Sequence, residues 1–247
     1  MLKKLVVLLG MAILVIGCGT DPDGGFDGMD GNAGFVAQEI AQAGKIVLEE
    51  VESGSLASYM PKAATEPDSF VINWNYDSNN EQWVANSTAW FPQGTVTRLD
   101  TVRVYDNQGA AVLVPTIVNV DSIWHGWAST LTGTQGLSIV VDVASNAKLD
   151  KPAGGDTTAT INGAGTCKFE ALNLAVTTVT DVVVPKSETA AHEWDYPASG
   201  TVNIDRPFRI IDITFTGGNV ATATVTNKIN SKTHTFNINL DTGEEYE

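Results

Sequence analysis

Three histidines, His125, His192 and His234, stand in three separate segments of this 247-residue chain. No HExxH, CxxC or paired-histidine spacing accompanies them, so the sequence offers no evident set of metal ligands. His192 has the most acidic setting, with Glu188, Glu193 and Asp195 in "ETAAHEWDY", but neighbours on an extended segment point to opposite faces. His234 is in phase with Phe236 and Ile238, which reads as a half-buried structural histidine. No GxSxG elbow or P-loop occurs, and "GGFDGMDG" has no preceding strand from which to build a phosphate cradle. Catalysis therefore has no local signature; the chain reads as non-catalytic, with no cofactor implied by its side chains.

The tryptophans say more. Trp74, Trp83 and Trp90 fall in one expected hairpin, Trp124 and Trp127 bracket His125 and Gly126, and Trp194 stands alone. Aromatic faces on a β-scaffold stack against sugars or line a pocket for lipid, and otherwise fill the sheet interior. Trp124 and Trp127, three apart on a strand, belong to opposite faces, so at most one serves any single face; Trp74, Trp83, Trp90 and Trp124 are taken as the candidate ligand-binding aromatics. Cys167, in "GTCKFEALNL", has no histidine or basic cluster beside it to lower its pKa, and reads as a small buried strand residue.

The other cysteine has a different setting. Lys3 and Lys4 precede the apolar run Leu5 to Ile16, and Gly17 stands just before Cys18. This is the layout of an export signal. The run is about 12 residues long against the roughly 20 a helix needs to cross the hydrocarbon core, so a permanent span is the weaker reading. Val15-Ile16-Gly17-Cys18 resembles the lipobox of bacterial lipoproteins. The resemblance implies that residues 1–17 are removed and that Cys18 is acylated and becomes the N-terminus. With Gly19 rather than aspartate after the cysteine, it also implies the outer membrane, on its periplasmic or surface side. The covalent lipid would be the only attached group, and the lipid anchor the contact with the membrane.

Residues 18–34 then read as a tether. Asp21, Asp23, Asp27 and Asp30 alternate with glycines in a composition unable to bury apolar surface. A calcium loop fails on register: counting from Asp21, Phe26 takes the place of the turn glycine, and counting from Asp23, Gly34 takes the place of the twelfth-position glutamate.

The chain has a net charge of −15, and loss of Lys3 and Lys4 would leave 12 basic side chains against 29 acidic ones. Nucleic acid is thereby an unsuitable partner. The same field repels anionic headgroups, so membrane contact is expected through the anchor or an apolar surface, and other partners are a hydrophobic ligand or an envelope protein. With Cys18 acylated, Cys167 has no partner for an internal disulfide.

Between tether and body, Val36, Ile40, Ala43, Val47 and Val51 recur at helical spacing, and Gly54 supplies a stop. Beyond Pro67 the pattern changes to short β-branched and aromatic runs separated by turn residues: "DSNNE", "DNQG", the pair Asn162-Gly163 and the break "DKPAGGD" at residues 150–156. Ile211, Ile213 and Phe215 share one face of a strand, as do Phe236, Ile238 and Leu240. One-sided burial of this kind marks antiparallel sheets with a wet face.

Residues 35–247 are therefore expected to be α+β, mainly β: an N-terminal amphipathic helix packed on a large curved antiparallel meander, with a subdivision near 151–156 as the alternative. This organisation resembles the half-barrel lipoprotein and lipid-carrier folds of bacterial envelopes. That resemblance implies an acyl chain held between the helix stripe at Val36, Ile40 and Val47 and the sheet. Glycan binding through exposed tryptophans and a purely structural envelope role are the competing expectations.

Overall fold

The computed structural model describes residues 73–246, apart from short breaks at 92–93, 117, 134–135, 137, 154, 170–171, 188–193 and 243. Cys18, the tether and the stripe at Val36, Ile40 and Val47 lie outside the described residues, as does His192.

Twelve strands follow one another: β1 (Asn73–Asp77), β2 (Gln82–Phe91), β3 (Gly94–Tyr105), β4 (Ser122–Gly133), β5 (Ser138–Asp150), β6 (Thr158–Phe169), β7 (Leu172–Pro185), β8 (Ser199–Asp205), β9 (Arg209–Phe215), β10 (Val220–Asn227), β11 (Thr233–Asn239) and β12 (Glu245–Tyr246). Each pairs antiparallel with the next, so spatial order equals chain order in a single sheet. This is the arrangement that short turns between β-branched runs favour, since no strand has to cross another.

The expected α+β class is corrected accordingly. The described residues form an all-β, twelve-stranded sheet without a helix, with apolar side chains recurring at a period of two in strands such as β9 and β11. The segment "DKPAGGD" is the connection between β5 and β6, which pair from Ile139↔Phe169 to Asp150↔Thr158. The sheet continues across it.

A second correction concerns Asn162-Gly163, expected as a turn. Both lie inside β6, and the chain reverses instead between Phe169 and Leu172. The structure gives each residue another job. Asn162 accepts a bond from the backbone N–H of Asp181 and donates to its carboxylate, clamping a bulge of β7 where Asp181 has φ 47°. At Gly163 a Cβ would sit 2.7 Å from the Ala144 carbonyl oxygen of β5.

One face of the sheet carries the core. Val102 and Val104 of β3, Ile123 of β4, Leu149 of β5, Val182 and Val184 of β7, Val202 and Ile204 of β8, Ile211, Ile213 and Phe215 of β9 and Phe236 and Ile238 of β11 belong to one buried cluster. Two connections add to it: Val120 from the β3–β4 loop and Trp194 from the β7–β8 loop, each fully enclosed. The opposite face is lined by Thr201 and Asn203, Asp212 and Thr214, and Thr222 and Thr224. It is polar because it meets water.

Candidate functional site

The core face is not apolar throughout. On β3 the inward positions are Val96, Arg98, Asp100, Val102 and Val104, so two charges enter the face that buries the valines. Their side chains are 8% and 7% exposed. Such burial is tolerated only with partners. Arg98 donates from Nε to Asp100 Oδ2 at 2.7 Å and from Nη2 to Oδ1, while its guanidinium lies 4.5 Å from the ring centroid of Trp127. On β4, His125 Nε2 approaches Asp100 Oδ1 at 3.2 Å. Burial pushes the Asp100 carboxyl upward, but the bonds and positive charges of His125 and Arg98 outweigh it and hold the group below the usual carboxylate range.

The three side chains are partners to one another. Ser145 Oγ donates, at 3.4 Å, to the backbone oxygen of His125 rather than to its ring, so no hydroxyl is presented to the imidazole there. Ser87 Oγ, across β2 from Arg98, is buried without a hydrogen-bond partner among the described residues. The arrangement reads as an internal polar clasp that fixes β3 and β4 against one another. Among the described residues no group of three potential ligands is placed to hold a metal.

The outer face presents a different feature. Pairing registers place Thr101, Gly126, Ala144 and Ala164 opposite one another across β3, β4, β5 and β6. This row of small side chains is a floor running across the strands, about 14 Å long at the usual inter-strand spacing. One wall is the row Arg103, Trp124, Asn146 and Asn162; the other is Leu99, Ala128, Asp142 and Thr166. The floor, the second row and, from the first row, Trp124 line an open trough of about 390 Å³, with Leu99 42% exposed.

Trp124 is held in position at the trough. A Cβ built on Gly126 would lie 2.4 Å from the indole Cη2, so the ring leans along the strand over the glycine and needs the missing side chain. The Arg103 guanidinium stands 5.1 Å from the indole centroid and is itself fixed by two bonds to Gln82 Oε1, at 2.9 and 2.8 Å. A pinned aromatic ring beside a smooth floor, with Asp142, Thr101 and Thr166 around it, can take an extended ligand by stacking and hydrogen bonding without reorganising.

The other candidate aromatics are placed elsewhere. Trp83 is buried on the core face, edge-on to Tyr76 at 5.0 Å between centroids, and Trp127 is buried beneath Arg98. Trp74 and Trp90 are placed by backbone register only, opposite Ala85 and Thr95. Trp83 and Trp124 therefore face opposite sides and share no site. His234 is half-buried beside Phe236, 5.5 Å between ring centroids, and Cys167 is half-buried on β6.

Sequence reasoning missed Arg98, Asp100 and the small-residue floor. A signal for the first existed in "TVTRLDTVRVY", where Val96, Val102 and Val104 fix the inward phase and Arg98 and Asp100 fall in it. No protein-family model, curated protein or solved structure matches the chain, so the site is read from its own geometry alone.

Proposed function

We propose that this chain is a lipoprotein held at the outer membrane through Cys18, and that its sheet is a non-catalytic module binding an extended glycan in the outer-face trough. The anchor rests on the lipobox resemblance and on the charged, apolar and small residues that lead up to it. The observation that carries the binding role is the row Thr101, Gly126, Ala144 and Ala164 with the Trp124 indole leaning over it. Sugars offer an apolar ring face to an indole and hydroxyls to neighbouring polar groups, and Asp142, Thr101 and Thr166 supply the latter. The lining is mainly apolar, so an acyl chain is the competing occupant; Asp142, Thr101 and Thr166 beside the indole are what favour a sugar over it.

The test is a titration of the protein with oligosaccharides cut from cell-envelope and capsular polysaccharides, read by tryptophan emission and by calorimetry. Ala144→Leu raises the exposed floor without touching the core. At least one sugar should bind saturably to the native chain and tenfold or more weakly to this variant. A flat response across the panel, or equal binding by Ala144→Leu, refutes the reading. Saturable binding of a fatty acid and of no sugar would give the trough to an acyl chain and refute it equally.

A further inference from the structure

In a meander of sequential antiparallel strands, odd-to-even connections lie at one end of the sheet and even-to-odd connections at the other. The two ends differ in charge. The first gathers Asp77, Glu81, Asp106, Asp121, Asp156 and Asp241 in or beside its connections, against Lys151 and Lys186 there. The second holds the β8–β9 and β10–β11 turns, "DRPFR" at 205–209 and "NKINSK" at 227–232, which carry four cations and one carboxylate. In a chain with 29 acidic and 14 basic side chains this is a marked local reversal.

Each of these turns also exposes a large apolar side chain. Phe208 is 60% exposed and Ile229 75% exposed. β8 to β11 are consecutive neighbours, so the two turns stand side by side, about 10 Å apart at the usual spacing. The backbone N–H of Lys228 donates to the Phe208 carbonyl at 2.9 Å, tying them into one tip. Arg206 N–H closes the first turn on the Arg209 carbonyl at 2.9 Å, and Asn227 Oδ1 accepts from Ile229 N–H at 2.8 Å in the second. Lys228 pairs with Asp205, and Lys232 is exposed beside it. The apolar pair is thus presented on braced turns rather than on loose chain.

We propose that this double tip docks on the surface of a bilayer containing anionic lipids, with Phe208 and Ile229 entering the acyl boundary, the exposed Lys228 and Lys232 meeting the phosphates, and the half-buried Arg206 and Arg209 adding positive charge behind them. An exposed apolar pair flanked by cations complements a headgroup layer over hydrocarbon. The net negative charge of the chain does not forbid it, because at physiological ionic strength the field of the distant acidic end is screened within about 8 Å. Each cation at such a surface contributes about fivefold in partitioning. The tip would set how the body stands on the membrane, acidic end outward, and its chemistry holds independently of the trough and of acylation at Cys18.

The experiment uses the full chain with Cys18→Ser and Cys167→Ser, labelled with an environment-sensitive fluorophore through Ile229→Cys, and in a second preparation through Val114→Cys in the β3–β4 connection at the opposite end. Both are added to vesicles of phosphatidylcholine alone or with 30% phosphatidylglycerol. The label at 229 should shift to the blue and be quenched by nitroxide-labelled acyl chains on the anionic vesicles, with the label at 114 unmoved. Lys228→Glu with Lys232→Glu, both exposed, should lower the apparent affinity at least tenfold while leaving the circular dichroism unchanged. No shift at 229, or an equal shift at 114 or on uncharged vesicles, overturns the proposal. So does a shift that appears without vesicles as protein concentration rises, which would assign the tip to a second copy of the chain.

Discussion

Removing the carboxylate of Asp100 tests the internal clasp at its centre. Asp100 receives two bonds from Arg98 and lies 3.2 Å from His125 Nε2, with both members of the Arg98–Asp100 pair less than a tenth exposed. Asp100→Ala takes the paired carboxylate from the Arg98 charge on the core face, where solvent cannot replace it. Breaking a buried pair in this way costs about 3–5 kcal/mol, a large share of the 5–15 kcal/mol typical of a folded domain. In urea, with a slope of about 2 kcal/mol/M, the midpoint should fall by about 2 M. The double replacement Arg98→Met with Asp100→Leu removes both charges at similar volume and should lie within about 1.5 kcal/mol of the native chain, well below the sum of the single losses. Acid unfolding gives an independent reading. The folded pKa of Asp100 is depressed below its unfolded value of about 3.9, so its contribution is complete above that pH and is lost as pH falls through the folded value. Asp100→Asn should flatten that limb. A cost for Asp100→Ala below about 1 kcal/mol, or additive single and double losses, would show that the pair is solvated and refute the reasoning.

The remaining predictions address the trough, a bulge and the alkaline limb. Gly126→Ala puts a methyl where the Trp124 indole rests, so the ring must swing away: stability should drop by about 1–3 kcal/mol, tryptophan emission should change, and sugar binding should weaken. Gly200→Ala faces backbone instead, with a φ of +111° and its Cβ 2.4 Å from Val182 Cα; urea unfolding should show a loss above about 3 kcal/mol, and a loss below 1 would contradict the packing of β8 on the bulge. Burial and the hydrogen bond to Asp241 push the Tyr196 phenol up to about 12. A raised folded pKa means stability that is complete below pH 10 and lost as pH rises through about 12; Tyr196→Phe should remove that limb from the melting curve and the latest step from the phenolate absorbance titration.

What was legible in the sequence was alternation. Ile211, Ile213 and Phe215, or Phe236, Ile238 and Leu240, announce their faces because each run places apolar side chains at every second position, and the structure buries those faces. Two kinds of feature were not legible. In β3 the inward phase includes Arg98 and Asp100 while Leu99 points out, so hydrophobicity at those three positions is the reverse of burial; their own ion pair and the partners on β4, His125 and Trp127, make that affordable. The trough floor is spread over four strands, and Gly126, Ala144 and Ala164 become neighbours only once the registers of β4, β5 and β6 are known. The pair Asn162-Gly163 misleads for a related reason: the local turn preference of asparagine and glycine is overridden by a clamp to Asp181 and a close approach to Ala144, both contacts made across strands.

The proposed function of the sheet presupposes a lipid anchor at Cys18 on the envelope. Its most direct test is the intact mass of the mature chain recovered from the membranes of its own host. The account predicts a polypeptide beginning at Cys18 and heavier than its sequence by the mass of attached acyl chains, released into the soluble fraction by Cys18→Ser. A mature chain that starts at another residue and carries no lipid would contradict it.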